Sequence, residues 1–465
     1  MENVREIVLD VLLTLERDGG LSHQLIRGTL NKYDYLDPRD KRYVKRVTEG
    51  TLERRLELDY YLDHYSSVPV RKMKPLICCL LRMSVYQLLY MDAIPDSAVC
   101  NEACKLAEKR KFHSLKGFVN GVLRKIAREK DSLPMPDPKK DHLKWLSVKY
   151  SMPEEIVQEW LEVYDEETTQ KLLEALLEIH PVSIRMTQSL TVEEKEGVTG
   201  RLREAGIDVA QSPYDERVLL ARDLEGLENL SDFQEGRITV QDVSSTLAVK
   251  QAGIREGDLV VDACAAPGGK SILASELTGP SGRVICGDVS EKKTQAIWEN
   301  VDRMGRRNIE VRQWDARELP AELYGKADVL LLDVPCSGLG VMGKKRDVKY
   351  HVSKQSFAEV ENLQKEILKG AWQVVKPGGI MLFSTCTIRK EENRDAVNWI
   401  LENLPFEPVS ISESLPEIVR RQVWEEKAAM KLPAEDWEAC CAQILPGIMQ
   451  ADGFFFAKLR RKMND

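Results

Sequence analysis

The sequence predicts a multidomain protein in which an all-α bundle precedes a small α+β domain and an α/β domain with a mostly parallel sheet. The chain has 465 residues, which is more than one hydrophobic core usually organises. Residues 1–130 show helical spacing of apolar residues and no strand pattern, whereas apolar strands alternate with helices from about 236 onward. A Pro-rich linker, DSLPMPDPKKD at 131–141, ends the helical part.

The composition is typical of a globular protein with reduced cysteines. Hydrophobic residues make up 43% of the chain and charged residues 31%, and no apolar run reaches the roughly 20 residues that span a bilayer. The N-terminus lacks the basic start and apolar core of a secretory signal, so we expect a cytoplasmic protein with no membrane partner. The ten cysteines should then be thiols, and because none forms C-x-x-C we expect no metal site.

Charge is distributed unevenly along the chain. The net charge is −8, yet residues 1–130 hold 24 Lys and Arg against 18 Asp and Glu. Within 101–130 the basic residues number nine and the acidic residues three. A basic front on an acidic protein suggests a polyanionic partner, although a solvated helix face would give the same count.

Apolar spacing predicts five helical stretches in the first domain. The first ends at Gly19-Gly20, and the fourth opens on Pro95 and Asp96, which favour helix starts. The predicted stretches are 4–19, 37–65, 70–91, 94–110 and 115–130. We therefore predict a helical bundle over 1–130.

The second domain, predicted at 142–235, mixes helices and strands. Two helices are expected near 153–178 and 191–205, and short strands in VSIRMT, IDVAQS and RVLLAR. This pattern indicates a small α+β unit.

The third domain, predicted at 236–465, contains five apolar strands rich in β-branched and aliphatic residues. They are DLVVDAC, GRVICGDV, IEVRQWD, ADVLLLDVP and GGIMLFSTC. Near-continuous apolar strands that alternate with helices indicate a parallel sheet buried on both faces. The late segment DGFFFAKL predicts one more strand.

The carboxyl ends of these strands carry a candidate ligand site, because open α/β sheets bind ligands there. The first strand enters a helix through VVDACAAPGGKS, whose glycines let the backbone approach a ligand closely. Its spacing is neither a P-loop nor G-x-G-x-x-G, so a ligand bearing a carboxylate is favoured over a diphosphate. Asp288, Asp315 and Asp333 end the next three strands. Together these features favour S-adenosylmethionine over NAD, although any one acid could be a loop or helix cap.

Two cysteines also fall at strand ends. Cys336 follows the fourth strand in LLLDVPCSGLG, and Cys386 ends the fifth in FSTCT, so both thiols should share a cleft beside the cofactor. A thiolate that adds to carbon 6 of cytosine converts the ring to an enamine that can take a methyl group at carbon 5. Asp333 could hydrogen-bond ring nitrogen 3 and favour that addition. The chemistry leaves open which cysteine attacks, and a buried structural thiol is the alternative for Cys336.

The motifs DACAAPGGKS, LLLDVPCSGLG and LFSTCT resemble the signatures of RNA cytosine-5 methyltransferases, in particular the Sun/RsmB type that acts on 16S rRNA. ITVQDVSS (238–245) and ILPGIMQADGFFFAKL (444–459) resemble flanking motifs of that family. IPDSAVCNEACKLA and FVNGVLRKI are similar to the NusB-type helical RNA-binding domain. The resemblance implies a NusB-like bundle at 1–130, an RNA-binding or linking domain at 142–235, and a Rossmann-like methyltransferase domain at 236–465.

The resemblance also implies roles for individual residues. Cys386 would be the nucleophile, Cys336 would assist release of the methylated product, and the target would be cytosine 967 in standard rRNA numbering. The substrate is expected to be unassembled or partly assembled 16S rRNA, bound by a monomeric protein. The residues implied to hold S-adenosylmethionine are Cys264, Ala265, Ala266, Pro267, Gly268, Gly269, Lys270, Asp288, Asp315 and Asp333.

Three alternatives stay open at this point. A tRNA cytosine-5 methyltransferase would use the same chemistry, and a non-catalytic NusB-type RNA-binding factor would need only the helical domain. A DNA methyltransferase would attack with the Pro-Cys cysteine instead.

The basic loop GKKRDVKYH (343–351) is predicted to contact RNA phosphates, with a solvated loop as its alternative.

Overall fold

The computed structural model describes residues 3–20, 22–222, 224–411, 413–432, 434–447 and 449–463. The chain forms two compact units, the first comprising Met1–Leu177 with Lys344–His351 and the second Glu178–Gly343 with Val352–Asp465. Across the described ranges, no helix is long and apolar enough to cross a membrane. The three-domain division drawn from the sequence stays a prediction.

The regular secondary structure of the first unit, over its described residues, consists of helices with no β-strand, as predicted for its NusB-like part. Its α-helices are α1 Val4–Asp18, α2 Ser22–Lys32, α3 Pro38–Glu53, α4 Arg55–Tyr65, α5 Pro75–Tyr90, α6 Asp96–Lys109, α7 Lys116–Glu129, α8 His142–Tyr150, α9 Glu154–Val163 and α10 Glu166–Ala175. Helix α5 is apolar on nearly all sides and contacts α1, α3, α4, α6 and α7, which makes it the central helix of the bundle. Helix α2 was not predicted, because only Ser22 and Ile26 of this helix are buried.

The segment Lys344–His351 packs within the helical unit although it lies far along the chain. Asp347 accepts hydrogen bonds from the backbone N and the Oγ of Ser22, at 2.8 and 2.6 Å. Lys349 is 4% exposed, and its Nζ donates to the carbonyl oxygen of Glu53 at 2.8 Å. Burial lowers the pKa of Lys349 to about 7. The predicted phosphate contact is therefore wrong for Lys349, because its ammonium is enclosed and already bound.

The second unit begins with a small antiparallel sheet and its covering helices. The elements are β1 Val182–Met186, α11 Val192–Glu204, β2 Asp208–Gln211, β3 Val218–Arg222, α12 Ser231–Gln234 and β4 Ile238–Val240. The strand order is β2-β3-β1-β4, and every pairing is antiparallel. The strands β1 to β3 match the three short strands predicted from the sequence.

The remainder of the second unit is built on a larger, mostly parallel sheet. Its elements are α13 Val243–Gln251, β5 Leu259–Asp262, α14 Gly269–Thr278, β6 Arg283–Asp288, α15 Glu291–Arg303, β7 Ile309–Gln313, β8 Ala327–Asp333, α16 Lys354–Ala371, β9 Val375–Thr385, α17 Arg394–Asn403, β10 Phe406–Pro408, α18 Glu417–Ala428, β11 Cys441–Ile444 and β12 Phe454–Arg461. The order is β10-β12-β9-β8-β5-β6-β7, with β11 beside β12. Strands β5 to β9 pair in parallel, whereas β10, β11 and β12 are antiparallel. The predicted Rossmann-like sheet is confirmed.

Both faces of this sheet are buried. Val260 and Leu331 belong to one hydrophobic cluster, while their chain neighbours Val261 and Leu330 belong to the cluster on the opposite face. This arrangement explains why the strands read as continuous apolar runs in the sequence. The strand order changes direction at β5, because β6 and β7 lie on one side of it and β8 and β9 on the other. Open α/β sheets form a ligand crevice at such a switch point.

Candidate active site

A cleft lies at the carboxyl ends of β5 and β8. The loop from Cys264 to Lys270 lines one part of it, and Asp333, Cys386 and Phe454 line another. The cleft encloses a volume of about 210 Å³. The structure thus brings together the cofactor loop, Asp333 and Cys386, three features that the sequence placed at separate strand ends.

The loop between β5 and α14 is held by backbone contacts to the neighbouring strand β6. Ala265 N donates to Gly287 O at 2.9 Å, and the Ala266–Pro267 peptide bond is cis. Gly268 has a φ of +102°, and a Cβ there would lie 3.3 Å from Cγ2 of Ile297. Glycine is therefore required at this position both by the backbone conformation and by the close approach of α15.

Asp288 and Asp315 lie at the strand ends where the sequence placed them, but neither lines the cleft. Asp288 is 5% exposed, and its carboxylate accepts from Ala266 N at 3.2 Å and pairs with Lys293 Nζ at 2.9 Å. The carboxylate of Asp315 accepts from Arg317, whose hydrogen bond lowers the pKa of Asp315. Asp288 shapes the loop Cys264–Lys270 through its contact with Ala266 N, and contact of either acid with a cofactor stays a prediction.

Asp262 also lines the cleft, although it was not among the site residues predicted from the sequence. It is fully buried at the end of β5, and its Oδ2 accepts from Ser271 Oγ at 2.6 Å. Its Oδ1 has no hydrogen-bond partner among the described residues, and burial raises the pKa of Asp262 to about 7. Its place at a strand end, like that of Asp288 and Asp333, was the signal in the sequence.

Gln241 is a second cleft residue with an unsatisfied polar atom, its Nε2. Its Oε1 accepts from Nε of Arg185 at 2.7 Å, and Arg185 in turn pairs with Glu276 of α14 at 2.8 Å. Buried polar groups normally have partners, so orphaned ones need an explanation. A polar ligand in the cleft would satisfy both Gln241 and Asp262. Gln241 Nε2 can donate to a carboxylate and Asp262 Oδ1 can accept from an ammonium, a pair that suits the amino-acid end of S-adenosylmethionine.

Asp333 is fixed at the end of β8 by two partners. Its Oδ2 pairs with Lys270 Nζ at 2.7 Å, and its Oδ1 accepts from Ser384 Oγ at 2.8 Å. Burial opposes the charge on Lys270, but the attraction and hydrogen bond of Asp333 prevail and raise the pKa of Lys270. A carboxylate held in this way is oriented before any substrate arrives.

The two candidate thiols are in contact, with 3.2 Å between Cys336 Sγ and Cys386 Sγ. The hydrogen bond with Cys386, burial and the nearby negative charges all raise the pKa of Cys336, so Cys336 is held as a thiol. Cys386 lines the cleft together with Lys270, whose positive charge interacts with it. A nearby ammonium favours the thiolate form of a cysteine, so the two thiols have different electrostatic surroundings.

The loops that carry the thiols are fastened to each other by backbone hydrogen bonds. Gly340 N donates to Cys386 O at 3.1 Å, and Gly453 N donates to Gly340 O at 2.8 Å. A Cβ at Gly340 would lie 2.1 Å from Gly453 O and 2.8 Å from Cys386 O. Three loops therefore meet at Gly340 with no room for a side chain.

Comparisons with known proteins identify the family of the chain. Residues 251–460 match the family described as 16S rRNA methyltransferase RsmB/F, and residues 2–128 match the NusB family. The probable ribosomal RNA small subunit methyltransferase B of Bacillus subtilis is 32% identical over 99% of both chains. The ribosomal RNA small subunit methyltransferase B of Salmonella paratyphi B is 30% identical over 91% of both chains.

Solved structures show the same fold. The crystal structure of PH0851 has a TM-score of 0.79 and 25% identity, with 99% of both chains covered. A methyltransferase homologue from Pyrococcus horikoshii has a TM-score of 0.57 at 22% identity and covers 69% of this chain and 99% of its own. This second similarity concerns the fold alone.

Proposed function

The chain belongs to the family of ribosomal RNA small subunit methyltransferases B, and on that premise we propose that it methylates carbon 5 of a cytosine in 16S rRNA through a covalent adduct. The observation that carries the proposal is the contact between Cys336 and Cys386 beside Lys270. Transfer of a methyl group to a nitrogen or oxygen lone pair needs no thiol. Carbon 5 of cytosine is poorly nucleophilic, and a thiol nucleophile overcomes that difficulty.

The methyl donor in this proposal is S-adenosylmethionine, which supplies an electrophilic methyl group when bound. The loop Cys264–Lys270 would hold it, with Asp262 and Gln241 as partners for polar groups through their unsatisfied atoms. Asp288 would help to hold the ligand by fixing the shape of the loop at Ala266. Asp315, after the end of β7, would contact the nucleoside part of the same ligand.

Cys386 would be the nucleophile. Its Sγ adds to carbon 6 of the cytosine as a thiolate, and the displaced π electrons make carbon 5 nucleophilic enough to take the methyl group. Asp333 would hydrogen-bond the ring at nitrogen 3, and its own orientation comes from Lys270 and Ser384. Attack of the thiolate puts negative charge on the ring, and a proton shared between Asp333 and nitrogen 3 would neutralise that charge and favour the addition.

Cys336 would assist the release step. Carbon 5 gives its proton to a water molecule from solvent, the electron pair of that bond restores the ring double bond, and the Sγ–carbon 6 bond breaks. The departing sulfur of Cys386 leaves as a thiolate, and the protonated Cys336 at 3.2 Å can donate a hydrogen bond to it. This assignment gives the two thiols separate tasks, in agreement with the raised pKa of Cys336.

The RNA must present an unstacked cytosine to the cleft. Bases in loops or in unassembled RNA are easier to extrude, which favours unassembled or partly assembled 16S rRNA as the substrate. We propose position 967 in standard rRNA numbering as the target. The helical domain at 1–130 and the small domain at 142–235 would grip the RNA.

The test is a map of 5-methylcytosine in total RNA with and without this protein. We expect one cytosine of 16S rRNA to lose its methyl group when the protein is absent, and naked 16S rRNA to regain it with purified enzyme. Cys386→Ala should abolish that activity. Loss of methylation in tRNA, with 16S rRNA unchanged, would favour the tRNA enzyme instead, and full activity of Cys386→Ala would refute the role of that thiol.

A further inference from the structure

Glu392 is a carboxylate buried behind the two thiols. It lies between β9 and α17 and has no exposed surface. Burying a carboxylate is costly even when it is paired, so an ion pair of this kind is weak evidence for a purely stabilising role. Its contacts point instead to the loop that carries Cys336.

The side chain holds the peptide groups on both sides of Cys336. Glu392 Oε2 accepts from the backbone N of Ser337 at 2.7 Å. Gln364 Nε2 donates both to Glu392 Oε2 at 3.2 Å and to the carbonyl oxygen of Pro335 at 2.9 Å. The peptide units before and after Cys336 are therefore fixed by one carboxylate and one amide.

The same cluster reaches the loop that carries Cys386. Ser337 Oγ lies 2.7 Å from Oγ1 of Thr387, the residue that follows the second thiol. Asn393, the chain neighbour of Glu392, donates from Nδ2 to the carbonyl oxygen of Thr387 at 2.9 Å. Glu392 and Asn393 thus set the separation between the two thiol loops from behind.

Arg389 balances the charge of Glu392 only in part. Its guanidinium is 3.4 Å from Glu392 Oε1, stacks over Phe357 and also pairs with Glu361 at 3.0 Å and Glu391 at 3.3 Å. The negative charge of Glu392 is among the causes that raise the pKa of Cys336. The hydrogen bonds of Glu392 hold Cys336 in position against Cys386, and its negative charge helps to keep Cys336 protonated.

We propose that Glu392 is the positioning residue of the release step, fixing the Cys336 thiol against the sulfur of Cys386 through the peptide N–H of Ser337. The inference rests on the proposed covalent function. Without Glu392, the Cys336 loop can move, the departing sulfur loses its hydrogen-bond donor, and release slows while methyl transfer still occurs.

The experiment compares Glu392→Ala and Glu392→Gln with the wild-type protein and with Cys336→Ala, all as full chains. Each is incubated with 16S rRNA and S-adenosylmethionine, and covalent protein–RNA adduct is measured on a denaturing gel. We expect Glu392→Ala to accumulate at least ten times more adduct than wild type and to turn over at least tenfold more slowly. The KM for S-adenosylmethionine should stay within twofold, a split that general loss of structure would not produce.

Glu392→Gln retains the size and an oxygen acceptor for Ser337, so it should accumulate less adduct than Glu392→Ala and keeps the test decisive if the alanine variant does not fold. Glu391→Ala is the matched control, because the carboxylate of Glu391 also pairs with Arg389 but its partners are Arg389 and Lys390 rather than Ser337 or Gln364, and its turnover should equal that of wild type. If Cys336→Ala accumulates adduct but neither folded Glu392 variant does, the role of Glu392 is wrong and the covalent function stands. Absence of adduct from all variants, including Cys336→Ala, would overturn the covalent function and this inference with it.

Discussion

Replacement of Gly340 by alanine adds one methyl group at the point where the two thiol loops and the loop before β12 meet. The new Cβ would lie 2.1 Å from Gly453 O, 2.6 Å from Gly453 C and 2.8 Å from Cys386 O, whereas ordinary contact begins at 3.4 Å. All three neighbours are backbone atoms, so no side chain can rotate away. The two loops must separate by about 1 Å, a displacement that can reduce an enzymatic rate about 100-fold.

The expected loss of stability is moderate. Overpacking typically costs about 1–3 kcal/mol, so Gly340→Ala should still fold. The assay measures initial rates of radiolabelled methyl transfer from S-adenosylmethionine to 16S rRNA, together with thermal unfolding. Gly200→Ala on α11 is the control, because a Cβ there meets nothing within 4 Å. A wild-type rate for Gly340→Ala would refute the claim that the spacing of these loops sets the rate.

Three further predictions concern pH, the cofactor and RNA. Asp262 has a folded-state pKa raised from 3.8 to about 7, so wild type should lose about 4 kcal/mol relative to Asp262→Asn as pH rises from about 4 to above 7. Urea denaturation at several pH values would measure this loss of stability, and a difference that does not change with pH would contradict the raised pKa. Asp262→Asn should also bind S-adenosylmethionine more weakly in calorimetry. Lys349 has a folded-state pKa lowered from 10.5 to about 7, so its burial penalty is full below pH 7 and fades as pH rises towards 10.5. Wild type should therefore gain stability relative to Lys349→Met over that window, and an opposite trend in urea denaturation would exclude a buried ammonium. Lys125 and Arg128 are exposed on α7, and if each contacts a phosphate, alanine at either position should lower the slope of log affinity against log salt by about 1 in filter binding to 16S rRNA. An unchanged slope would remove that face from the RNA interface.

The parallel sheet could be predicted from the sequence because its strands are buried on both faces. In ADVLLLDVP, successive apolar residues belong alternately to the hydrophobic clusters on the two faces of the sheet. The continuous apolar run that results differs from the spaced pattern of an amphipathic helix. Helix α2 could not be predicted in this way, because it buries only two residues and has no continuous apolar stripe. The signal in each case depends on how much of the element is removed from water.

The candidate site was predictable in its strand-end residues and not in its supporting contacts. Asp333 and Cys386 follow directly from strand topology, whereas the contact of Glu392 with Ser337 joins residues 55 apart in the chain. The phosphate contact of Lys349 was predicted because a basic run usually marks a solvated or RNA-facing loop. Its actual partner is the carbonyl oxygen of Glu53, 296 residues away, and no local pattern encodes that contact.

The central claim is that Cys386 attacks and that Cys336 assists release. Cys336→Ala should be incubated with 16S rRNA and S-adenosylmethionine, digested, and the peptide that carries the modified nucleotide identified by mass spectrometry. The account predicts a stable adduct on the peptide that contains Cys386, and no adduct when Cys386 is also replaced by alanine. An adduct on Cys336 in the wild-type protein would contradict the account.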